Sequence, residues 1–227
     1  GEACTPDIVA AWAPGRRFIN AYGPSEMTIG PTGHVVNDGR AEVPPLTTNA
    51  PIGRPIPNIE AYILDRQLQP LPPGVTGELY LGGMGLARGY LNRPDLTRER
   101  FLPDRFASDP GARMYRTGDL VRYDDEGRLH FLGRTDFQVK LRGQRVELGE
   151  IETVISSVPG VVHVAATVLP SATGDQLVAW VAPASAIDMA EMDRRLADAL
   201  PVYMRPTAWV VLDEMPLNPS GKVNRGV

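Results

Sequence analysis

The sequence predicts a mixed α/β and α+β chain: a strand–loop segment and a small, distorted antiparallel β-barrel, then a compact α+β subdomain. Three observations predict it. Short alternating apolar runs, separated by Gly, Pro and Asp turns, fill the first 135 residues. Longer runs at helical spacing come only after Gly133. The 23 glycines and 22 prolines mark a chain rich in turns.

The elements follow in order. Gly1–Trp12 reads as a loop entering a helix, with Thr5 as N-cap and Pro6 at the first helical position. An apolar strand at Arg17–Ala21 runs into Tyr22-Gly23-Pro24-Ser25-Glu26, a loop at the carboxyl end of a strand, where open α/β sheets bind ligands. Residues 31–58 are proline-rich and aperiodic and are expected to be a long loop. Strands are expected at Glu60–Leu64, Gly77–Leu81, Leu120–Tyr123 and Leu129–Leu132, with turns at Pro72-Pro73-Gly74 and Asp124-Asp125-Glu126-Gly127. Val139–Leu141 and Arg145–Val146 suggest a hairpin around Arg142-Gly143. Leu148, Ile151, Val154, Ile155 and Val158 then fall at helical spacing, ended by Pro159-Gly160. Val161–Leu169, Leu177–Val181 and Ala208–Leu212 read as strands. Asp188–Leu200 reads as an amphipathic helix with Asp188 and Glu191 placed as a capping box. The domain boundary falls near Asp136, dividing the chain into 1–135 and 136–227.

Composition narrows the function. With 43% hydrophobic and 22% charged residues the chain is globular rather than disordered. A net charge of −4 gives no bulk attraction to nucleic acid or anionic membrane. No apolar run is long enough to span a bilayer. The single cysteine, Cys4, cannot form an internal disulfide, which points to a reducing, cytoplasmic setting. Of the 23 basic residues only Lys140 and Lys222 are lysine. Coding bias accounts for the arginine excess but leaves those two exceptions marked.

Several patterns have bland readings. Gly82–Gly89 resembles a dinucleotide fingerprint, but its spacing fails and it reads as a structural turn. Gly221-Lys222 lacks the following Ser or Thr of a phosphate loop, and Pro216 stands where that loop's first glycine belongs. His34, His130 and His163 are scattered and offer no zinc spacing. Met189 and Met192 sit three apart on one helix and read as core. Others call for explanation together: Ser25-Glu26 after a strand, Thr117-Gly118-Asp119 just before one, Gly133-Arg134-Thr135-Asp136 at the domain junction, and Lys222 in a terminal loop.

In that order these motifs resemble the adenylation domains of nonribosomal peptide synthetases, in the adenylate-forming superfamily. The matching stretches are Asn20–Glu26, Gly77–Tyr80 through Gly85–Tyr90, Tyr115–Leu120, Gly133–Lys140 through Arg142-Gly143 and Glu147–Glu152, and Asn218–Val223. Ser25 stands where the family usually has Thr. Gly1-Glu2-Ala3 resembles the family's adenine-contacting loop entered partway, so the chain is expected to be the C-terminal half of the domain. The N-terminal half, with its phosphate loop, would be a missing partner.

The resemblance implies formation of an aminoacyl-AMP from an amino acid and ATP with Mg²⁺, then transfer to the phosphopantetheine thiol of a carrier protein. Glu26 would hold the metal and Ser25 would hydrogen-bond phosphate. Tyr22 would face adenine, with Asn20 at the base edge, and Gly1, Glu2, Ala3 and Phe131 would complete the nucleotide contacts. Asp119 would accept the ribose hydroxyls, backed by Arg134 from beyond the domain junction. Lys222 would bridge the substrate carboxylate and the α-phosphate. Asp136 would be the hinge of a small, mobile lid subdomain, and Lys140 and Gly143 its thiolation face. Ala21, Ile29 and Gly30 would line an amino-acid pocket. A small MbtH-like protein would dock near the loop Phe101–Pro110. An acyl-CoA ligase relative and a non-catalytic docking module are the alternative readings; the Gln138-Val139-Lys140 stretch speaks against the first.

Overall fold

The computed structural model describes residues 3–39, 43, 45–136, 138–171, 174–218 and 223. These divide into two compact units, one made by Ala3–Asp136 and one by the described residues that follow.

The first unit opens with helix α1 (Pro6–Trp12). Thr5 precedes it in extended conformation, but its side chain caps nothing; the preset φ of Pro6 starts the helix without it. Strand β1 (Arg17–Tyr22) pairs antiparallel with β2 (Thr32–Asp38), and β2 with β3 (Arg54–Pro55). This corrects two expectations. Residues 31–58 contain strands rather than one long loop, and the turn after β1 leaves an antiparallel sheet. The sequence hid β2 because its burial does not alternate: Thr32 and Asn37 are buried while Val35 is exposed. Asn37 Nδ2 donates to the Ala13 carbonyl at 2.7 Å, which makes a buried polar residue tolerable.

The barrel-like sheet follows. β4 (Ile59–Leu64), β5 (Gly77–Gly83), β7 (Arg113–Tyr123) and β6 (Phe101–Pro103) lie in that order, with β8 (Leu129–Arg134) also on β7, all antiparallel. Helix α2 (Pro94–Arg100) leads directly into β6. Phe101–Pro103 is therefore strand, where a loop was expected. One face of the sheet buries Ile63, Leu79, Leu81, Phe101, Tyr115 and Val121; the other packs Leu64, Tyr80 and Met114. Each fully buried aliphatic or aromatic side chain contributes about 1.5–3 kcal/mol. Gly77 is required on β5, because a Cβ there would lie 2.8 Å from Ile63 Cγ2 and 2.5 Å from Leu71 Cδ1.

In the second unit β9 (Gln138–Leu141) and β10 (Gln144–Glu147) form a hairpin closed by Arg142 and Gly143, both at positive φ, as a two-residue hairpin turn demands. Helix α3 (Leu148–Ser156) buries Leu148, Ile151 and Ile155. A three-stranded sheet carries β11 (His163–Leu169), β12 (Gln176–Ala182) and β13 (Ala208–Val211), the last pair parallel. Helix α4 (Met189–Ala199) connects β12 to β13 and sets Met192 and Leu196 into the core. Asp188 caps it, accepting from the Ala190 and Glu191 amides. The capping box is only half made: the Glu191 carboxylate turns to Arg194 and Arg195 at i+3 and i+4 instead.

Candidate functional site

The site grows out of an irregularity in β7. Opposite Leu79 the strand carries extra residues, so the register shifts between Glu78 and Tyr80. Thr117-Gly118-Asp119 is thus a bulge inside one long strand, not a turn ahead of a strand. Gly118 takes φ +77°, and a Cβ there would lie 2.7 Å from Arg134 Nη2. The Thr117 hydroxyl donates to the Leu79 carbonyl at 2.7 Å and accepts from the Asp119 amide at 2.9 Å, holding the bulge together.

The bulge aims Asp119. Its carboxylate is 6% exposed and engaged on both oxygens: the Tyr22 hydroxyl donates to Oδ2 and Arg134 Nη1 to Oδ1. Arg134 is the cross-strand partner of Asp119 on β8, within the same unit rather than beyond a junction. Its guanidinium also grips Asp136 through two bonds, of 2.7 and 2.9 Å, and the Thr117 carbonyl at 3.1 Å. A rigid fork is suited to this shared use. Arg100 adds a cation 3.9 Å from Asp136. A cleft of about 910 Å³ borders this end, lined by Glu78, Arg100, Arg116, Arg134, Thr135 and Asp136 among others. Burial, then the Asp119 charge, push the Tyr22 hydroxyl well above its ordinary pKa, so it stays a donor.

Just past Tyr22 the chain makes a single 3-10 turn, Ser25–Met27. Gly23 permits it: a Cβ would lie 2.1 Å from Pro31 Cδ and 2.2 Å from the Gly30 nitrogen. Ser25 is exposed while Glu26 is 8% exposed. The Glu26 carboxylate accepts from the Tyr90 hydroxyl at 2.6 Å, and its carbonyl from the Ala87 amide at 2.8 Å. Thr28, Ile29 and Gly30 follow at positive φ, with Ile29 83% exposed. Asn20 is half-buried, its Nδ2 donating to the Pro51 carbonyl at 2.8 Å. Ala21 and Ala3 are exposed, and Phe131 packs partly into the barrel core. On the second unit Lys140 and Gly143 are exposed on the β9–β10 hairpin. Gly1, Glu2 and Lys222 lie outside the described residues.

The structure thus gathers Tyr22, Asp119, Arg134 and Asp136 into one network and holds Glu26 by Tyr90. Sequence reasoning missed Tyr90 as a partner of Glu26. Its place in the Gly85–Tyr90 stretch was visible, but a contact across 64 positions was not.

Comparison with known proteins finds two parts of one family in succession. AMP-binding enzyme matches residues 1–91, and AMP-binding enzyme C-terminal domain matches residues 150–222. A linear gramicidin synthase of Brevibacillus parabrevis is 49% identical over 229 residues, covering 99% of this chain and 3% of that protein. The Vibrio cholerae adenylation domain AlmE, solved in complex with glycyl-adenosine-5'-phosphate, is 33% identical with a TM-score of 0.80, covering 98% of this chain and 42% of that one. PA1221, a nonribosomal peptide synthetase protein containing adenylation and PCP domains, is 33% identical with a TM-score of 0.77, covering 96% and 43%. The chain spans a few percent of the gramicidin synthase and under half of either solved chain. Matched along most of its length by the two successive parts of a single family, the chain belongs to the AMP-binding enzymes.

Proposed function

We propose that the chain is the C-terminal part of an amino-acid-activating adenylation domain, which joins an amino acid to AMP from ATP and passes the acyl group to a carrier-protein phosphopantetheine thiol. The observation that carries it is Asp119, fixed on a glycine bulge between Tyr22 and Arg134. A carboxylate so fixed can accept two vicinal hydroxyls of a ribose without reorganising. Tyr22 would offer its ring to adenine, and Asn20, Phe131, Ala3, Gly1 and Glu2 would close around the base. The exposed Ser25 hydroxyl would donate to phosphate.

Adenylation brings together two anions, a carboxylate and the α-phosphate, so donors must stand where charge develops. Lys222 would do this with one mobile ammonium that follows two oxygens as the bond forms. Glu26 suits magnesium, which takes one or two carboxylates beside substrate phosphates and would supply neutralisation of their charge. A buried, single, hydrogen-bonded carboxylate fits that donor set. Asp136, held by Arg134 at the end of the first unit, would be the hinge between the domains expected at 1–135 and 136–227, and Lys140 with Gly143 would face the thiol after the swing. Ala21, Ile29 and Gly30 would line the amino-acid pocket. The exposed apolar side chains of Ile19 and Val35, cross-strand partners on β1 and β2, support a reading in which an N-terminal part of the domain covers that face of the sheet.

Partners in this reading are the N-terminal part, a peptidyl carrier protein and an MbtH-like protein at Phe101–Pro110, where Phe106 is exposed. No helix of the described residues is long and apolar enough to cross a membrane. A cytoplasmic location is supported by the single cysteine. The test is ATP–pyrophosphate exchange with a panel of amino acids, using the chain joined to an N-terminal adenylation core. Exchange that depends on one amino acid is expected. Exchange driven only by acids without an amino group would point to an acyl-CoA ligase, and none at all would overturn the catalytic reading.

A further inference from the structure

Tyr90 sits on the loop between β5 and α2, on neither of the segments that form the Asp119 network. Its hydroxyl donates to Glu26 Oε1 at 2.6 Å and lies 3.5 Å from the Tyr115 hydroxyl. Its ring stands edge-on to Phe101, with centroids 5.4 Å apart at 76°, and Phe101 in turn packs on Tyr115 at 5.3 Å. Tyr115 is fully buried in the barrel core. The backbone around Tyr90 is fixed as well. Its amide donates to Thr97 Oγ1 at 3.0 Å, and Gly89 takes φ +142° where a Cβ would lie 2.4 Å from Thr97 Cγ2. The same loop ties to the Glu26 turn through Ala87 N–H to the Glu26 carbonyl at 2.8 Å, and through the Thr28 hydroxyl to the Gly85 carbonyl at 2.8 Å.

We infer that Tyr90 is a positioning residue for the Glu26 carboxylate, anchoring it on the rigid barrel core so that a divalent cation carried by the nucleotide meets a preset oxygen. The inference rests on the reading of Glu26 as the metal ligand. A neutral donor beside a carboxylate favours the charged form and fixes its orientation.

Tyr90→Phe removes the hydroxyl and keeps the ring packing. The readout is Mn²⁺ binding to the protein–ATP complex without amino acid, followed by electron paramagnetic resonance on the chain joined to an N-terminal adenylation core. Loss of a partner behind a metal ligand lowers affinity about tenfold or more. A tenfold weakening in Tyr90→Phe, and a larger one in Glu26→Gln, is expected. Tyr115→Phe, which removes the hydroxyl 3.5 Å from that of Tyr90, should weaken binding less than Tyr90→Phe does. Unchanged binding in Tyr90→Phe while Glu26→Gln binds weakly would overturn the role of Tyr90 alone. Equal losses in Tyr90→Phe and Tyr115→Phe would overturn it too, because cluster packing would then set the affinity. Unchanged binding in Glu26→Gln would overturn the reading of Glu26, and the inference with it.

Discussion

Tyr22→Phe isolates one bond of the site. The ring stays in the barrel core, and only the hydroxyl that donates to Asp119 is lost. A hydrogen bond to a charged group contributes about 1.5–3 kcal/mol, so near pH 7 the variant should be about 2 kcal/mol less stable. Alkaline pH should close the gap. Tyr22 is held well above its ordinary pKa in the folded state, by burial first and Asp119 second, while in the unfolded chain it ionises near 10. Above about pH 10 the unfolded state has therefore lost a proton that the folded state keeps, and Tyr22 costs the parent about 1.4 kcal/mol per pH unit. The variant has no such dependence, so near pH 11 the difference should shrink to about 0.6 kcal/mol. Tyr62, Tyr80, Tyr90 and Tyr123 are also raised, chiefly by burial, and they weaken both proteins alike. Urea unfolding followed by circular dichroism at the two pH values measures the difference. A gap unchanged between them would refute a buried, proton-retaining hydroxyl, and a gap near zero at neutral pH would refute the strength assigned to the bond.

Three more outcomes are expected. Lys222→Ala in a domain completed with its N-terminal part should lower pyrophosphate exchange roughly a hundredfold or more while sparing thiolation of a preformed aminoacyl-AMP; equal loss in both steps would remove its assigned role. Gly23→Ala should destabilise the first unit by at least about 1–3 kcal/mol, because the new methyl would collide with Pro31 and the Gly30 backbone; thermal unfolding reports it, and an unchanged midpoint would count against the tight turn. Asp188→Ala removes the acceptor for two α4 amides and should cost about 1 kcal/mol, or roughly 2–4 °C in Tm, with Asp188→Ser restoring most of it.

Much of the architecture was legible because local chemistry and tertiary context agree. Alternation marked β4 and β5, though β5 runs on to Gly83. The Arg142-Gly143 turn marked the second unit's hairpin, and helical spacing marked α3 and α4. What stayed illegible lacked a local signal. β2 alternates poorly because it pairs on both sides in a small sheet where buried Thr32 and Asn37 are satisfied by hydrogen bonds. β6 is three residues long and exists because β7 offers it an edge. The Glu191 half of the capping box failed because two arginines on the next turn compete for the same carboxylate.

The site divides along the same line. Residue types, their order and the two isolated lysines were enough, by resemblance, to point to adenylate chemistry and to mark Glu26, Asp119 and Arg134 as candidates. Sequence alone could not say which groups meet. Asp119 faces both Tyr22, 97 positions away, and Arg134, 15 positions away, because a bulge at Gly118 turns the strand and β8 brings the guanidinium across in register. Tyr90 reaches Glu26 only because the loop after β5 packs on the turn after β1. Such contacts depend on strand register and backbone twist. These are set by the summed packing of the whole sheet rather than by any short stretch of sequence.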